Sequence, residues 1–304
     1  MESIRKIFAM FPGQGSQKVG MGKDLFEQAD VARDFFNIAD KALGFKLSNL
    51  CFEGPIEQLT STDVAQPAIL LTSVISFHLA SSDIKKDIIC AAGHSLGEYS
   101  ALVAAGAIGL EDALVLVHKR GCYMQEAVPA GVGKMAAILG KEVSEIEDAI
   151  KKVPQGCVSI ANVNAPGQIV IAGDQAAVDA AIAAMSTVKA IPLQVSAPFH
   201  CPLMKPAEIA LSNDLDSLSI NTPSFPVISN FTAKPSNSPE EIRENLKSQV
   251  CGRVRWVESV QYAQLTLGSK VAVEFGAGNV LTGLAKRIDP TLDRINIYSG
   301  AESA

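Results

Sequence analysis

Short apolar runs alternate with longer segments of helical periodicity along this chain. Ile7 to Phe11 is an uninterrupted apolar run stopped by Pro-Gly, which predicts a buried strand. The apolar spacing predicts helices over residues 24–43, 67–80 and 110–128, the second beginning with a proline suited to a first helical turn. A second buried strand is predicted at 87–92, directly before a turn and a helix. This alternation is typical of an α/β body built on a parallel sheet.

The middle of the chain carries a different order of elements. Its pattern predicts a strand, a helix, two strands, a helix and a last strand, at residues 134–139, 143–153, 157–163, 169–172, 176–185 and 189–195. A β-α-β-β-α-β order is that of the ferredoxin-like arrangement. We therefore predict a large α/β catalytic domain of residues 1–130 and 197–304, and an inserted ferredoxin-like small domain of residues 131–196.

Beyond the small domain, residues 196–206 are rich in proline and predict a loop, after which the α/β order resumes. Strands are predicted at 225–229 and 271–275, and helices at 240–250, 256–264 and 280–287. The chain has no internal repeat and no low-complexity tract, so these elements are expected to complete the large domain.

Composition and charge exclude several classes of protein. Hydrophobic residues make up 48% of the 304 residues and charged residues 19%, which supplies a large core. The net charge of −6, without a long run of like charges, argues against bulk binding to nucleic acid. The N-terminal apolar stretch is too short for a signal peptide, and no segment is long enough to span a bilayer. We therefore expect a cytoplasmic monomer that does not bind a membrane.

Metal and cofactor motifs are also missing from the sequence. The six cysteines are widely spaced without a C-x-x-C pair, and the chain has only four histidines. This favours buried thiols in a reducing compartment, so no metal site is predicted. The segment FPGQGSQ at 11–17 has neither the glycine spacing of a dinucleotide fingerprint nor the lysine of a phosphate loop. No resident cofactor is predicted.

Residues 93–97, Gly-His-Ser-Leu-Gly, match the Gly-x-Ser-x-Gly pattern of a nucleophile elbow. The match lies between a predicted strand and a predicted helix, where such an elbow must lie. Two glycines allow a sharp turn that would hold the Ser95 hydroxyl at the helix N-terminus, with the amide of Leu96 facing an oxyanion. The structural alternative is an ordinary strand-to-helix turn in which Ser95 caps the helix.

A nucleophilic serine needs a base, and four histidines allow an exhaustive search. His78 and His118 lie within predicted helices and are expected to pack there. His94 is adjacent to Ser95 in the turn, so its ring should point away from the hydroxyl while shaping the pocket. His200 lies in a proline-restricted loop and is the best candidate base. The order Ser…Asp…His would place an acid between Ser95 and His200, and none there lies at an obvious strand end. We therefore predict a dyad in which a carbonyl or amide orients His200.

Arg120 falls on an apolar helical stripe with Ala113, Val117 and Met124. A guanidinium in such a position needs an anionic partner, because an unpaired buried charge is costly. Two partners fit the pattern equally: the acid of a structural salt bridge, or a substrate carboxylate bound in two-point geometry. Gln14, between glycines after the first strand, offers an exposed backbone amide as a second oxyanion donor.

At these positions the sequence resembles the bacterial malonyl-CoA:acyl carrier protein transacylases of fatty acid synthesis. The resemblance covers nearly the whole chain and rests on six blocks: FPGQGSQ at 11–17, GHSLGEYSAL at 93–102, KRGCYMQ at 119–125, NVNAPGQIVIAG at 162–173, VSAPFHCPLM at 195–204 and GAGNVLTGLAKRI at 276–288. It implies a hydrolase-like α/β parallel-sheet body with a ferredoxin-like insertion. Asn279 and Cys201 depart from the family pattern, in which lysine is common at the first position and serine at the second.

For the matching residues the resemblance implies specific roles. Ser95 is implied as the nucleophile, His200 as its base, and Arg120 as the clamp on the malonyl carboxylate. The backbone amides of Gln14 and Leu96 are implied as the oxyanion donors. These roles agree with the candidates that the residue types and their positions select.

The resemblance also implies that the main-chain carbonyl of Gln249 orients the histidine, which would account for the missing acid. Met124, His94, Asn162 and Phe199 are assigned to the substrate-binding pocket. Phe199, beside the candidate base, is expected to disfavour a methyl branch on the acyl group by its bulk.

The implied activity is transfer of a malonyl group from malonyl-CoA to the phosphopantetheine thiol of acyl carrier protein. The transfer is expected to be ping-pong, through a malonyl-serine ester, and to supply fatty acid biosynthesis. Malonyl-CoA is then the substrate and acyl carrier protein the partner. Two alternatives stay open: a serine thioesterase or esterase with the same nucleophile, and a carrier-protein-binding scaffold without turnover.

Overall fold

A computed structural model describes residues 5–129 and 131–298 and the backbone of 302–303. Within them the strands lie, in chain order, at Ile7–Phe11 (β1), Ile88–Gly93 (β2), Gly133–Leu139 (β3), Val158–Ala165 (β4), Gln168–Asp174 (β5), Lys189–Pro192 (β6), Val227–Ile228 (β7), Val271–Phe275 (β8), Asp293–Ile297 (β9) and Glu302–Ser303 (β10). They form two separate sheets.

The α-helices lie at Lys23–Gln28 (α1), Asp30–Leu43 (α2), Leu47–Glu53 (α3), Ile56–Leu59 (α4), Thr62–Leu79 (α5), Ser82–Lys85 (α6), Gly97–Ala104 (α7), Leu110–Glu126 (α8), Val143–Ile150 (α9), Gln175–Ala184 (α10), Lys205–Ser217 (α11), Pro239–Gln249 (α12), Trp256–Gln261 (α13) and Val280–Ile288 (α14). A 3₁₀ turn occupies Pro202–Met204, and a π-helical turn, Tyr262–Thr266, follows α13. Among the described residues, no helix combines the length and apolar character needed to cross a membrane.

The larger sheet has the strand order β10-β9-β8-β1-β2-β7 and is parallel apart from β10. Its central strands are continuous apolar runs because helices cover both faces: α5, α7 and α8 on one face, α13 and α14 on the other. Every residue of β1 and β8 is buried as a result. The predicted α/β body on a parallel sheet is confirmed.

The second sheet is antiparallel, with the strand order β4-β5-β3-β6. Alternate side chains of a strand point to opposite faces, and both faces of this sheet are covered. Ala136 and Ile171 pack towards α9 and α10. Met135 and Val170 point the other way and join the core of the larger body. The second sheet therefore has its own helices on one side and packs on the larger body with the other.

The helix predicted over 24–43 is two helices, because the chain breaks at Ala29. This residue has an extended backbone, with φ of −132° and ψ of 129°, and it ends α1 and begins α2. The break folds α1 back on α2, so that the rings of Phe26 and Phe36 meet edge to face at 5.8 Å. Aromatic packing between the two helices thus overrides the continuous periodicity of the sequence.

The prediction that a helix begins at Pro67 is wrong, since α5 begins at Thr62 and Pro67 lies inside it. A proline at this position has no N–H to donate to the carbonyl oxygen of Asp63, four residues earlier. Nδ1 of His118 donates to that oxygen instead, at 2.9 Å. His118, which was predicted to pack within its helix, thus supplies the hydrogen bond that Pro67 cannot make.

Other differences lie at element ends. The strand predicted at 225–229 is only the two-residue β7, and the helix predicted at 256–264 changes from α-helical to π-helical geometry after Gln261. The last strand predicted in the small domain ends at Pro192. Helix α11 was not predicted, although its buried residues, Ala207, Leu211 and Leu215, recur every four residues. It follows directly on the proline-rich segment that was predicted to be a loop.

The carboxyl ends of β1 and β2 lie side by side, and Phe11 is paired with Gly93. The loop that leaves β1 and the turn that leaves β2 therefore meet at one edge of the sheet, where ligands bind in open α/β folds. The approach is close: a Cβ on Gly97 would lie 2.0 Å from the carbonyl oxygen of Phe11, and a Cβ on Gly93 would lie 1.8 Å from the carbonyl carbon of Gly97. Only glycine fits at these two positions.

We predict that Gly93→Ala lowers the free energy of unfolding by about 3 kcal/mol or more, at the upper end of the cost of overpacking, because the methyl group meets backbone that cannot move aside. The matched control is Gly283→Ala in α14, where a Cβ would meet nothing within 4 Å. That change should instead stabilise the protein by about 0.5–1 kcal/mol, the helix preference of alanine over glycine. Urea unfolding of both variants measures the difference, and equal stabilities would contradict the close approach.

Candidate active site

Ser95 lies at the turn between β2 and α7 and has a left-handed backbone, with φ of 53°. This conformation is strained for a residue with a Cβ, so the surrounding structure must hold it. The side chain of Asn230 accepts a hydrogen bond from Ser95 N at 2.6 Å and donates to the carbonyl oxygen of Gly93 at 2.7 Å. Asn230 thus clamps both sides of the turn.

His200 is the histidine that contacts the Ser95 hydroxyl. Its Nε2 lies 2.7 Å from Ser95 Oγ, and its Nδ1 lies 2.9 Å from the main-chain oxygen of Gln249. Because a carbonyl oxygen can only accept, Nδ1 carries the proton and Nε2 is left to accept the serine proton. The accepting carbonyl belongs to the last residue of α12, where helical carbonyls lack partners within the helix.

Arg120 is buried, with 1% of its surface exposed, and also reaches the serine. Its Nη2 donates to Ser95 Oγ and to Oε1 of Gln249, both at 3.0 Å, and its Nη1 donates to Oε1 of Gln66 at 2.7 Å. In the described part of the chain its Nε has no hydrogen-bond partner. The hydrogen-bond acceptors around this guanidinium are all neutral, and none is the carboxylate of a salt bridge.

Two groups able to carry a positive charge therefore meet on one hydroxyl oxygen. The pKa of His200 is lowered to about 3, first by burial and then by the charge of Arg120. Burial lowers the pKa of Arg120 as well, but an arginine remains protonated in proteins. The guanidinium thus holds the charge, and the imidazole of the free protein is neutral.

The side chain of Gln249 connects Arg120 to the serine turn. Its Nε2 donates to the main-chain oxygen of Ser95 at 3.0 Å and to Oε2 of Glu98 at 2.8 Å. Glu98 is buried in the first turn of α7 and also accepts from the main-chain N–H of Asn230 at 2.9 Å. Burial raises the pKa of this carboxyl to about 7, against the opposing effect of its hydrogen bonds and of Arg120.

The backbone amides of Gln14 and Leu96 lie on the two loops that meet at the sheet edge. Both residues border the cavity beside Ser95, and neither amide donates a hydrogen bond to another described residue. Leu96 stands at the start of α7, where N–H groups have no acceptor within the helix and carry the positive end of its dipole. The side chain of Gln14 is held by Oγ1 of Thr62 at 3.2 Å. That these two amides face an oxyanion stays a prediction.

A cavity of about 360 Å³ opens at the Ser95 hydroxyl and is lined by the second sheet and by loops and helices of the larger body. Nine of the ten residues assigned to the site from the sequence line it: Gln14, His94, Ser95, Leu96, Arg120, Met124, Asn162, Phe199 and His200. The tenth, Gln249, lies behind Arg120 and His200 and outside the cavity wall. The structure thus brings residues from distant parts of the chain to one place.

The ring of His94 contacts the second sheet. Its Nε2 lies 2.8 Å from Oδ1 of Asn164 in β4, and its ring centre lies 5.8 Å from that of Trp256. Burial lowers the pKa of His94. His94 therefore connects the serine turn to the cavity wall and makes no hydrogen bond to the Ser95 hydroxyl.

Sequence reasoning missed four polar residues of the site: Gln66, Glu98, Asn164 and Asn230. Gln66 and Glu98 carried a signal, since each is a large polar residue within a mainly apolar stretch that the structure buries. Their partners come from segments far away in the chain, so no local spacing connects them. Asn164 lies in the block at 162–173 but was not singled out there, and Asn230 lies in a segment without a pattern.

One group of possible metal ligands occurs among the described residues, formed by Asp63, His118 and Cys122. Its members already have protein partners. His118 donates to the Asp63 carbonyl oxygen, and the Asp63 carboxylate accepts from Nε2 of Gln125 at 3.0 Å. The arrangement is explained by these hydrogen bonds without an ion.

A family model of the acyl transferase domain matches residues 8–287. The chain therefore belongs to the acyl transferase family. Within that family, it is 46% identical over 300 residues to the malonyl CoA-acyl carrier protein transacylase of Bacillus subtilis (strain 168). The aligned residues cover 97% of this chain and 94% of that protein.

Two solved structures have closely similar folds. The first is an acyl carrier protein S-malonyltransferase from Vibrio cholerae, with a TM-score of 0.92 and 42% identity over 96% of this chain and 97% of that one. The second is a malonyl-transacylase in complex with a type II PKS acyl-carrier protein, with a TM-score of 0.91 and 43% identity over 96% of each chain.

The pKa of His200 predicts how the reactivity of Ser95 depends on pH. An ordinary histidine loses its basic form below about pH 6.5, whereas a pKa of about 3 keeps His200 unprotonated in mild acid. We therefore expect the rate at which a serine-directed phosphonate labels Ser95 to stay level between about pH 8 and about pH 5. In Arg120→Met the loss of the neighbouring charge should raise the His200 pKa, so the rate should begin to fall at a higher pH.

The control for this experiment is Glu98→Gln, which removes a carboxyl group that titrates in the same hydrogen-bond network. The labelling rate of this variant should depend on pH as it does in the unmodified protein. A fall in the labelling rate centred near about pH 6.5 in the unmodified protein and in Glu98→Gln would contradict the lowered His200 pKa.

Proposed function

We propose that this protein transfers the malonyl group of malonyl-CoA to the phosphopantetheine thiol of an acyl carrier protein, and so supplies malonyl-carrier protein for fatty acid biosynthesis. The observation that carries the proposal is the buried guanidinium of Arg120, 3.0 Å from the hydroxyl of Ser95. A carboxylate-binding cation beside a nucleophile is what a malonyl group requires. The names of the relatives at 42–46% identity support the same activity and the same partner.

In the first half-reaction, Ser95 Oγ attacks the thioester carbonyl carbon of malonyl-CoA while Nε2 of His200 takes the hydroxyl proton. The negative charge that develops on the carbonyl oxygen is held by the amides of Gln14 and Leu96, each worth about 3–4 kcal/mol in comparable sites. The C–S bond then breaks, and the imidazolium returns its proton to the sulfur of coenzyme A. The product is a malonyl ester of Ser95.

The second half-reaction uses the same groups. The phosphopantetheine thiol of the carrier protein gives its proton to Nε2 of His200 and attacks the ester carbon. The tetrahedral intermediate collapses, and Ser95 leaves with the proton. Because coenzyme A departs before the carrier protein reacts, the scheme is ping-pong. Side chains of this chain perform each proton transfer, so we propose no resident cofactor.

Arg120 provides the preference for a malonyl group. Its guanidinium has five N–H groups, of which three donate to Gln66, Gln249 and Ser95, and its buried Nε is without a partner among the described residues. A malonyl carboxylate in the cavity would pair with the buried charge. An acetyl group would leave that charge unpaired, which is costly.

The carboxylate has a second effect, on His200. The charge of Arg120 opposes protonation of the imidazole, yet the imidazole must become an imidazolium during the attack. A carboxylate paired with Arg120 cancels much of that charge and makes His200 a stronger base. A malonyl substrate thus strengthens the base that acts on it.

We also propose that the second sheet with α9 and α10 is an inserted ferredoxin-like domain of residues 131–196, and that residues 1–130 and 197–304 form the hydrolase-like catalytic domain. The proposal is supported by the order of elements from β3 to β6 and by the strand order β4-β5-β3-β6, in which the first and third strands are central. The cytoplasmic location and the monomeric state stay predictions.

A serine thioesterase or esterase is the main alternative, because it would use the same nucleophile and base. The two activities differ in the fate of the acyl group. Incubation with radiolabelled malonyl-CoA and a holo-acyl carrier protein should place the label on the carrier protein. Release of most of the label as free malonate would favour the hydrolase.

The covalent step is tested with Ser95→Ala. Brief exposure to malonyl-CoA should add one malonyl group to the unmodified protein, and none to the variant, because the nucleophilic oxygen is gone. Intact-protein mass spectrometry measures the adduct. His200→Ala should lower transfer by about 10²–10⁴-fold, the usual contribution of a general base. A loss below about tenfold would instead point to His94 or another base.

Selectivity is tested with Arg120→Met, which removes the charge and keeps much of the volume. Its kcat/KM for malonyl-CoA should fall sharply, and the ratio of malonyl to acetyl transfer should narrow or invert. The matched control is Arg253→Met, which removes a partly exposed arginine paired with Glu147 outside the cavity wall. An Arg120→Met variant that kept its full preference for malonyl would contradict the clamp.

The same assay tests Phe199, which lines the cavity beside His200. The kcat/KM for methylmalonyl-CoA should be lower than that for malonyl-CoA. The difference should not exceed the roughly 10–200-fold that a methyl-sized change allows in an apolar pocket.

A further inference from the structure

Glu98 is a buried carboxyl group that the proposed mechanism does not use. It lies on α7, one turn beyond Ser95, with 3% of its surface exposed. It touches neither Ser95 Oγ nor His200, and it does not line the cavity. One oxygen, Oε2, accepts from the main-chain N–H of Asn230 at 2.9 Å and from Nε2 of Gln249 at 2.8 Å.

These contacts determine which way the amide of Gln249 faces. A main-chain N–H can only donate, so the Asn230 N–H fixes an acceptor at the position of Glu98 Oε2. That acceptor draws Nε2 of Gln249 towards itself, and the second hydrogen of the same Nε2 donates to the Ser95 carbonyl oxygen at 3.0 Å. Oε1 is then left to face Arg120, from which it accepts at 3.0 Å.

The reversed amide would fail at every contact. Its oxygen would meet two other acceptors, Glu98 Oε2 and the Ser95 carbonyl oxygen, and its NH₂ group would meet the guanidinium of Arg120. Without Glu98, one of the three contacts that oppose reversal is lost, and those with the Ser95 carbonyl oxygen and the Arg120 guanidinium remain. Reversal would remove the acceptor that holds Nη2 of Arg120 beside Ser95 Oγ.

We propose that Glu98 is a positioning residue for acyl selectivity: it orients the Gln249 amide, and the amide oxygen in turn holds the Arg120 guanidinium in place for the substrate carboxylate. The proposal rests on the proposed function, since it concerns the same site. It predicts that Glu98 acts on malonyl preference and hardly on the Ser95–His200 pair, because His200 is oriented by the Gln249 main-chain carbonyl and not by its side chain.

The chain offers a matched control for a merely structural role. Glu274 is also a fully buried glutamate, in β8, and it accepts hydrogen bonds from Leu281 N at 3.1 Å and from Thr282 N and Oγ1 at 2.7 and 2.6 Å. It caps the start of α14 and has no contact with the Arg120 network. Its loss should destabilise the protein without changing acyl preference.

The experiment compares the unmodified protein with Glu98→Ala, Glu98→Gln and Glu274→Ala. For each, kcat/KM is measured with malonyl-CoA and acetyl-CoA at a saturating concentration of carrier protein, together with the rate of phosphonate labelling of Ser95 and the thermal unfolding temperature. Glu98→Ala should lower malonyl kcat/KM on the order of 10- to 100-fold, narrow the malonyl-to-acetyl ratio, and slow labelling far less.

Glu98→Gln keeps an acceptor at this position, so it should recover malonyl transfer to within about fivefold of the unmodified protein. The remaining loss is expected because a neutral acceptor binds its donors less strongly than a charged one. The amide carbonyl oxygen of this variant can take the place of Oε2 for both donors. Glu274→Ala should lower the unfolding temperature and keep the malonyl-to-acetyl ratio.

A Glu98→Ala protein that retains the full malonyl-to-acetyl ratio, as Glu274→Ala does, would overturn the proposal, and so would a Glu98→Gln protein as defective as Glu98→Ala. If Glu98→Ala does not fold, Gln249→Met decides, since it removes the amide and keeps the main-chain carbonyl. The proposal requires this variant to narrow the ratio, and an unchanged ratio overturns it. Failure of the unmodified protein to transfer malonyl at all would count against the proposed function instead.

Discussion

The burial of one positive charge, the guanidinium of Arg120, determines the rest of the site. A charge taken out of water must be hydrogen-bonded, and the usual solution is a carboxylate in direct contact. Here the acceptors are the neutral oxygens of Gln66, Gln249 and Ser95. A carboxylate in direct contact would compete with the substrate for the same N–H groups. Neutral acceptors hold the side chain in place and leave its charge available to an incoming anion.

The same charge explains why the candidate base has an unusual orienting partner. A carboxylate on Nδ1 of His200 would raise its pKa and draw the positive charge onto the imidazole next to Arg120. The carbonyl of Gln249 orients the ring with less effect on its charge, and as the last residue of α12 it lies at the negative end of a helix dipole. It therefore favours the imidazolium once the substrate carboxylate has cancelled the charge of Arg120. The partner of Nδ1 is therefore a carbonyl oxygen, in agreement with this electrostatic requirement.

Sequence patterns predicted what depends on neighbours along the chain. The strand β8 at Val271–Phe275 and the α/β order were predictable because apolar runs and turn residues are local signals. Ser95 stood out because its turn needs two glycines at fixed spacing. The position of Pro67 was mispredicted because its missing hydrogen bond is replaced by His118, 51 residues later in the chain. Glu98 could not be paired with Gln249 from spacing, since only the folded chain brings them together.

The cavity lies between the larger body and the second sheet, and the two supply different groups to its walls. The larger body supplies Ser95, His200 and Arg120, whereas the second sheet supplies apolar side chains such as Met135 and Val170 and the amides of Asn162 and Asn164. For these walls to face each other, the second sheet must be held in a fixed position on the larger body. Backbone hydrogen bonds hold it there: Val163 N in β4 donates to the Val254 carbonyl oxygen at 2.9 Å, and Val254 N donates to the Ala161 carbonyl oxygen at 2.8 Å. Because main-chain contacts join the sheets, side chains of the second sheet can vary in size and alter which acyl group fits, while the groups that react with it stay in place.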